Sequence, residues 1–389
     1  MFINLDANAS SSLLPEVSAS LSEYLSGPLN PSSVHRLGQR ARGLVEDARA
    51  EVRLLLELSS HDRVVFTSGA TEANNAAILS PFLLKGAVSQ CAQSGASLVT
   101  SSVEHQSVLA PAALVEEWGA SVARIPVSSQ GELDEAALLT ALGPDTKLVS
   151  LMLANNETGH IFSLQNLTQA IRERAPHALL HSDGVQLVGK APVSFPELGV
   201  DLLTISGHKL GALGGVGALI VRDGTETQAF LRGGSQEGYL RAGTENVLGV
   251  ISLGIAAKVI RSTLRARTDR MKAAATLLRE RLTRELPQLK WNTPLEGALP
   301  NTLSITIPGV PADDLVVALD LEGVCISSGA ACSSGKPLPS HVLKAMGRNA
   351  EEARSTVRLS VEADYAAGQI EFAAGAIVKC IQRSSYHAY

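Results

Sequence analysis

Cysteine is scarce in this sequence. Four residues in 389, Cys91, Cys325, Cys332 and Cys380, are too few and too scattered for a disulfide framework, and none stands in a C-x-x-C or similar metal-ligand spacing. A stapled secreted scaffold is thereby excluded, and a reducing cytoplasm is the expected compartment. Aromatic residues are also sparse at 4%, and no Lys/Arg stripe interleaves with them, which excludes nucleic-acid binding as the main function. The opening "MFINLDANASSSLLPEV" lacks the basic and apolar regions of a signal peptide, so export is not expected. The most apolar long segment, 247–260, is interrupted by Lys258 and too short to span a bilayer, so no membrane partner is expected either.

A hydrophobic content of 45% against 18% charged residues describes an ordinary globular chain with ample core, and its length suggests two or three units. From Arg63 to Val221 short β-rich runs alternate with amphipathic stretches: "RVVF" (63–66), "ASLVTS" (96–101), "KLVSLML" (147–153), "ALLHS" (178–182), "DLLTIS" (201–206) and "VGALIV" (216–221). Such runs, separated by helices, predict the buried strands of a mostly parallel sheet. Sheets of this kind bind ligands beyond the carboxyl ends of their strands, where the polar and glycine-rich residues of this chain fall. Residues 247–286 predict a long helix joining two domains. Beyond it, "NTLSITIP" (301–308), "GVCIS" (323–327) and "STVRLSV" (355–361) predict a smaller α+β domain. The expected division is a large domain over 15–255 and a small one over 1–14 and 256–389.

Lys209 follows Ser206-Gly207-His208 at a predicted strand end. A lone lysine there reads as a solvated surface group, but in a Gly-rich loop near the crevice its amine can form a Schiff base with a carbonyl. Pyridoxal phosphate requires such a lysine, a carboxylate for its pyridinium nitrogen, and phosphate donors. Asp183 follows the preceding predicted strand, with Gln186 three residues on; taken alone, it would cap a turn. "TSGATE" (67–72) opens a helix at Ala70 and Thr71, where free amides favour an anion, although an ordinary cap reads equally well. Ser206 adds a hydroxyl. His105 is a candidate to stack on a planar cofactor or to move protons, against the plainer reading of a hydrogen-bonded structural histidine. The run "GALGGVG" (211–217) precedes a strand, so it is not a dinucleotide loop.

Seven segments together resemble the cysteine desulfurases, pyridoxal-phosphate enzymes of the aminotransferase class V type: "LDANASS" (5–11), "NPSSVH" (30–35), "FTSGATEANNAAI" (66–78), "NNETG" (155–159), "HSDGVQLVGK" (181–190), "SGHKLGALGGVGAL" (206–219) and "RAGTEN" (241–246). "SSGAACSS" (327–334) and "STVRLS" (355–360) continue the series in family order. The SSG-x-AC form is similar to the group whose catalytic cysteine lies on a longer, mobile loop.

The resemblance implies a type I pyridoxal-phosphate transferase fold, α/β, with a seven-stranded-type sheet flanked by helices. It implies that Lys209 holds the cofactor, Asp183 pairs with its ring nitrogen, Gln186 bonds the ring hydroxyl and His105 stacks on the ring. Ala70, Thr71, Ser206 and His208 would bind phosphate, Thr244 would reach the partner subunit's cofactor in a homodimer, and Asn156 and Arg358 would hold the substrate carboxylate. Lys209 would take the Cα proton of L-cysteine, and the Cys332 thiolate would attack the substrate sulfur. That leaves L-alanine and a persulfide bound for an acceptor protein such as an iron–sulfur scaffold. Cys325, in the apolar run, reads instead as a small buried hydrophobe. A selenocysteine lyase, another class V lyase or aminotransferase, and a non-catalytic scaffold are the competing readings.

Two departures from the family stand out. Gly238-Tyr239-Leu240 replaces an Arg-Gly-Arg run, leaving dimer contacts or access to the site open to change. "VEADY" (361–365) puts Val361-Glu362-Ala363 where a Leu-Gly-Arg continuation is usual, from which a different pocket rim is expected.

Overall fold

A computed structural model describes residues 2–27, 29–83, 95–329 and 339–386, with residues 385 and 386 described by their backbone alone. Cys332 and Cys91 lie outside the described residues.

The chain opens with a short strand, β1 (Ile3–Asn4), and then builds a seven-stranded sheet. Its members are β2 (Arg63–Thr67), β3 (Ser97–Ser101), β4 (Ser121–Ile125), β5 (Thr146–Ser150), β6 (Leu179–Asp183), β7 (Leu202–Ser206) and β8 (Gly217–Val221). They lie in the order β2-β8-β7-β6-β5-β3-β4. Every neighbour pair is parallel except those made by β8, which runs antiparallel to both β2 and β7. The apolar runs read from sequence are therefore strands of one sheet. β4 has an exposed–half-buried pattern at the sheet edge, and so lacked the continuous apolar signal of the others. The carboxyl ends of β2, β3, β5, β6 and β7 all point to one edge, which is where the site forms.

Two glycines are required by close approach. A Cβ on Gly217, where β8 begins, would stand 2.8 Å from the backbone of Gly69 and from the Ile205 carbonyl oxygen. A side chain there would push the turn before the helix Ala70–Leu83 away from β7. A Cβ on Gly254 would meet the Ala48 Cα at 2.5 Å, because the helix Arg36–Leu55 crosses the helix Val247–Glu285 there. The former buries Gly38, Ala41, Val45, Ala48 and Val52, an alternation of three and four residues that places them on one helical face.

Val247–Glu285 is one continuous helix of 39 residues. Length and apolar composition alone would let it cross a membrane, but 56% of its most apolar window is buried inside the protein. Val247, Val250, Leu253 and Ile260 pack in the core around the large sheet. Met271, Leu278 and Leu282 pack in a second core with Ile3, Leu5 and the C-terminal elements. The position 255/256 thus falls inside a helix that serves both cores. Around the second core lie β9 (Lys290–Trp291), β10 (Thr302–Thr306), β11 (Val324–Cys325), β12 (Ser327–Ser328) and β13 (Thr356–Ser360). β12-β13-β10-β9 form an antiparallel sheet, while β1 pairs with β11 in parallel.

Both departures have structural uses. Glu237, just before Gly238, accepts from the Arg49 guanidinium (2.9 Å) and from the Phe66 amide (2.9 Å), with its carboxylate only 2% exposed. The backbone has positive φ at Glu237 and Tyr239, and the inward ion pair of Glu237 fixes the chain directly before Gly238-Tyr239-Leu240. Glu362 accepts from the Ser12 amide (2.8 Å), and Ala363 accepts from Arg270 (3.0 Å). None of residues 361–365 is among the residues that line the cavity described below. The reading of Cys325 is corrected. The residue is half-buried, with its Sγ 3.8 Å from Asp320 Oδ1, because β11 is a two-residue strand paired only with β1. Burial and the Asp320 carboxylate raise its pKa, which keeps it a thiol.

Candidate active site

A cavity of about 710 Å³ opens at the carboxyl edge of the large sheet and is closed on the far side by β12 and β13. Its wall includes Ala70, Thr71, His105, Asn156, Asp183, Gln186, Ser206, His208, Lys209 and Arg358. These ten sequence-predicted residues meet although up to 288 positions separate them. Thr244 is the exception among the described residues. It is exposed and lies on a small adjoining depression that shares Ser68 and Gly215 with the cavity.

Lys209 is delivered by a single 3₁₀ turn, Gly207–Lys209, that follows β7. Its Nζ donates to the main-chain oxygens of Asn8 (2.5 Å) and Ala9 (2.6 Å). Burial and the nearby Arg358 charge bring its pKa down to about 8, with Asp6 and Asp183 pulling the other way. An amine in that range supplies an appreciable neutral fraction near physiological pH, as a nucleophile or base requires.

Asp183 ends β6. Its Oδ1 accepts from the Val185 amide (2.9 Å) and its Oδ2 from Asn74 Nδ2 (2.7 Å). Asn74 is wholly buried on the helix Ala70–Leu83 and also donates to Ser107 Oγ (2.8 Å). Ser107 in turn contacts His105 Nδ1 through its hydroxyl (2.8 Å) and its amide (3.1 Å). With Ser107 Oγ accepting from Asn74, its proton is directed to Nδ1. Nδ1 therefore accepts twice, and the neutral ring carries its proton on Nε2. His105 is the N-cap of the helix Gln106–Glu117, and burial lowers its pKa despite Asp183. Each hydrogen bond to the ionised Asp183 contributes about 1.5–3 kcal/mol, so Asn74 both holds the carboxylate and sets the imidazole tautomer.

The N-terminal segment is the least anticipated part of the site. Asp6 Oδ1 accepts from Arg358 (2.6 Å). Asn8 Oδ1 accepts from Lys190 Nζ (2.7 Å), and the oxygens of Asn8 and Ala9 take Lys209. Three basic side chains are thus held by Asp6, Asn8 and Ala9, within four positions of the chain. Lys190 is buried and also donates to Gln186 Oε1 (2.6 Å). That bond fixes the Gln186 amide, whose Nε2 donates to the Asn8 oxygen (3.1 Å). Burial, with Lys209 and Arg358 nearby, pushes Lys190 well below the ordinary lysine range. Asn8, Asn74, Ser107 and Lys190 were missed as functional residues. "LDANASS" and "HSDGVQLVGK" contained two of them, but no local pattern reveals partners 182 residues apart.

At the other end, the turn Ser68-Gly69 leads into the helix at Ala70, and its Ser68 amide donates to Glu72 (2.8 Å). Glu72 is paired with Arg241 (3.0 Å). The helix therefore begins with its own carboxylate drawn aside to an arginine. Ala70, Thr71, Ser206 and His208 surround this part of the cavity, and burial and Lys209 lower the His208 pKa. Arg358 on β13 donates to the Asn156 oxygen (3.0 Å) as well as to Asp6. Its Nε has no hydrogen-bond partner among the described residues.

Glu104, next to His105, lies behind the wall. It is wholly buried, its Oε1 accepting from Ser101 (2.7 Å) and the Met152 amide (3.0 Å) and its Oε2 without a partner among the described residues. Burial raises its pKa from 4.5 to about 8. The unfolded chain releases this proton near 4.5, and the folded chain holds it until about 8. The contribution is therefore complete below the lower value and is lost as pH rises through the upper one, to the extent of roughly 5 kcal/mol. Glu104→Gln keeps the Oε1 acceptor and removes the titration. Thermal melts should show variant and wild type alike in mild acid, with the variant gaining steadily toward pH 8; a constant offset at all pH values would refute the assignment.

Comparison with known proteins shows the family and the fold. The Aminotransferase class-V family model matches residues 3–371. A cysteine desulfurase IscS of Dictyoglomus turgidum is 37% identical over 360 residues, 92% of this chain and 89% of its own. A cysteine desulfurase of Gluconacetobacter diazotrophicus is 38% identical over 360 residues, 92% of this chain and 88% of that one. Among solved structures, a NifS-like protein superposes with a TM-score of 0.90 at 29% identity, covering 98% of this chain and all of that one. The NifS-like protein of Rickettsia africae gives 0.85 at 30% identity, over 98% of this chain and 100% of its own.

Proposed function

This chain belongs to the class V aminotransferase family and, within it, to the cysteine desulfurases, and from that membership we propose the following working of its site. The substrate is L-cysteine and the products are L-alanine and a persulfide on Cys332. The observation that carries the reading is the convergence of Lys209, Asp183, His105 and Arg358 on one cavity beside a helix N-terminus.

The donor set fits pyridoxal phosphate. An amine of lowered pKa, a buried carboxylate, a fixed amide and hydroxyl-lined helix amides are the groups its aldehyde, ring nitrogen, ring hydroxyl and phosphate need. Lys209 would hold the aldehyde carbon, Asp183 the ring nitrogen, and Gln186 the ring hydroxyl. Ala70, Thr71, Ser206 and His208 would hold the phosphate, and His105 would lie against the ring. When bound, the cofactor supplies an electron sink for the pair left on the substrate's α-carbon.

The chain's own residues then divide the work. Arg358 holds the substrate carboxylate, for which its planar fork is suited, and the Asn156 backbone keeps the guanidinium in place. Lys209 Nζ takes the proton from Cα. Asp183, steadied by Asn74, keeps a proton on the ring nitrogen. His105 presents its Nε2 proton, with Nδ1 already satisfied by Ser107. Cys332 receives the sulfur and passes it to an acceptor protein. The working form is a cytoplasmic homodimer in which the exposed Thr244 serves the partner's cofactor.

The test is direct. Purified protein loaded with pyridoxal phosphate should be yellow, and L-cysteine with a reductant should yield equal amounts of alanine and sulfide. Protein that takes up no cofactor, or that turns over an aminotransferase substrate pair with no sulfide, contradicts the reading.

A further inference from the structure

Among the described residues, three carboxyl groups line the cavity: Glu72, Asp183 and Glu157. The first is neutralised by Arg241 and the second is held by Asn74 and an amide. Glu157 differs from both. It is nine-tenths buried in the wall, and its one described side-chain partner is a neutral hydroxyl, that of Ser340, which donates to Oε2. No described residue bonds its other oxygen.

The position of Glu157 is equally specific. Its amide is fixed by Asn155 Oδ1 (2.9 Å). Gly329 lies against the carboxylate, since a Cβ there would stand 3.8 Å from Oε2. Ser340, which bonds the same oxygen, caps the helix His341–Ala345. Arg358 on β13 is the charged group that faces it. On the proposed reading, Arg358 takes the carboxylate end of L-cysteine and Lys209 lies at its amino end. The third polar group of the substrate, its thiol, is the one left for Glu157.

We propose that Glu157 is the acid–base residue for the substrate's sulfur, taking the thiol proton as that sulfur passes to the enzyme. The step balances as follows. The enzyme thiolate's sulfur bonds to the substrate sulfur, and the carbon–sulfur bond breaks with its electron pair left on carbon. Carbon takes up a proton from the Lys209 ammonium, the S–H proton moves to the Glu157 carboxylate, and the persulfide is left as an anion. The enzyme sulfur is formally oxidised and the substrate carbon reduced, with no outside oxidant. Glu157 then returns its proton to solvent. Burial raises its pKa from 4.5 to about 7, with the Ser340 hydrogen bond and Arg358 acting in the opposite direction, so the group can exchange a proton at neutral pH. The proposal rests on the desulfurase reading given above.

The experiment compares the holoenzyme with Glu157→Gln and Ser340→Ala. Glutamine keeps an acceptor for the Ser340 hydroxyl and removes only the titration, whereas Ser340→Ala removes the contact and keeps the titration. In wild type, kcat for alanine formation should rise through about pH 7 as the carboxylate forms. Glu157→Gln should lose that limb and about 10²-fold in kcat, with KM for L-cysteine and the cofactor's absorbance unchanged. Ser340→Ala should keep the limb and move it to higher pH, since the lost bond favours the anion. Difference infrared spectra of wild type should show, besides the Glu104 signal near pH 8, a carboxylic acid titrating near pH 7 that is absent from Glu157→Gln. An active wild type whose Glu157→Gln variant keeps both the limb and kcat within about twofold overturns the proposal alone. A wild type that makes no alanine overturns the desulfurase reading, and this proposal with it.

Discussion

Lys209→Ala is expected to abolish alanine formation from L-cysteine, by on the order of 10⁴-fold or more, while the protein still folds and still binds pyridoxal phosphate. The loss is large because one atom, Nζ, has two duties in the proposed chemistry: it holds the cofactor's aldehyde carbon and it takes the proton from Cα. Folding should be spared, since among the described residues Nζ donates only to main-chain oxygens of Asn8 and Ala9. Burial and Arg358 bring the free amine to about 8, a value costly for an ammonium and useful for a base. Lys209→Arg separates the two properties. It keeps the positive charge and, being always protonated, supplies no nucleophile. It should be as inactive as the alanine variant, and a small primary amine in solution should restore a fraction of the rate to Lys209→Ala. Activity within tenfold of wild type in Lys209→Arg would mean that the position contributes charge alone.

The second large effect is expected at Cys332. Cys332→Ser should stop sulfide and persulfide formation, by at least about 10³-fold, and leave the yellow colour and its response to L-cysteine intact. The change is nearly isosteric and replaces the sulfur nucleophile by a weakly nucleophilic hydroxyl. Cys325 is the natural control. It is half-buried on β11, and Asp320 beside it favours the protonated thiol. Cys325→Ser should therefore leave turnover near wild type. Equal losses in the two variants would argue that thiol chemistry at Cys332 is not specific.

What was legible in the sequence follows from the range over which each signal acts. The strands β2, β3, β5, β6, β7 and β8 were legible because a buried strand in a parallel sheet needs a continuous apolar run. Lys209 and Asp183 were legible because Asp183 ends such a run and Lys209 follows one by three residues, and parallel strands bring their carboxyl ends to one edge. β4 was not, since an edge strand is half exposed. Cys325 was misjudged because an apolar run of five residues became two short strands with one side open. The role of the N-terminal segment was the largest gap. Asp6 meets Arg358 across 352 positions, and Asn8 meets Asn301 across 293. Contacts of that span depend on the whole topology, above all on β1 pairing with β11 and on Asp6 bridging Ser360 beside β13. Asn74 was hidden for another reason: on a helix of small residues, nothing in its spacing distinguishes a buried carboxylate-holding amide from a surface one.

The central claim is that sulfur leaves L-cysteine for Cys332 as alanine forms. Intact-protein and peptide mass spectrometry after a single addition of L-cysteine, without reductant, measures both products together. The account predicts one added sulfur atom per alanine, located on the peptide that carries Cys332 and absent from Cys332→Ser. Alanine formed with the added sulfur elsewhere, or formed unchanged by Cys332→Ser, would contradict it.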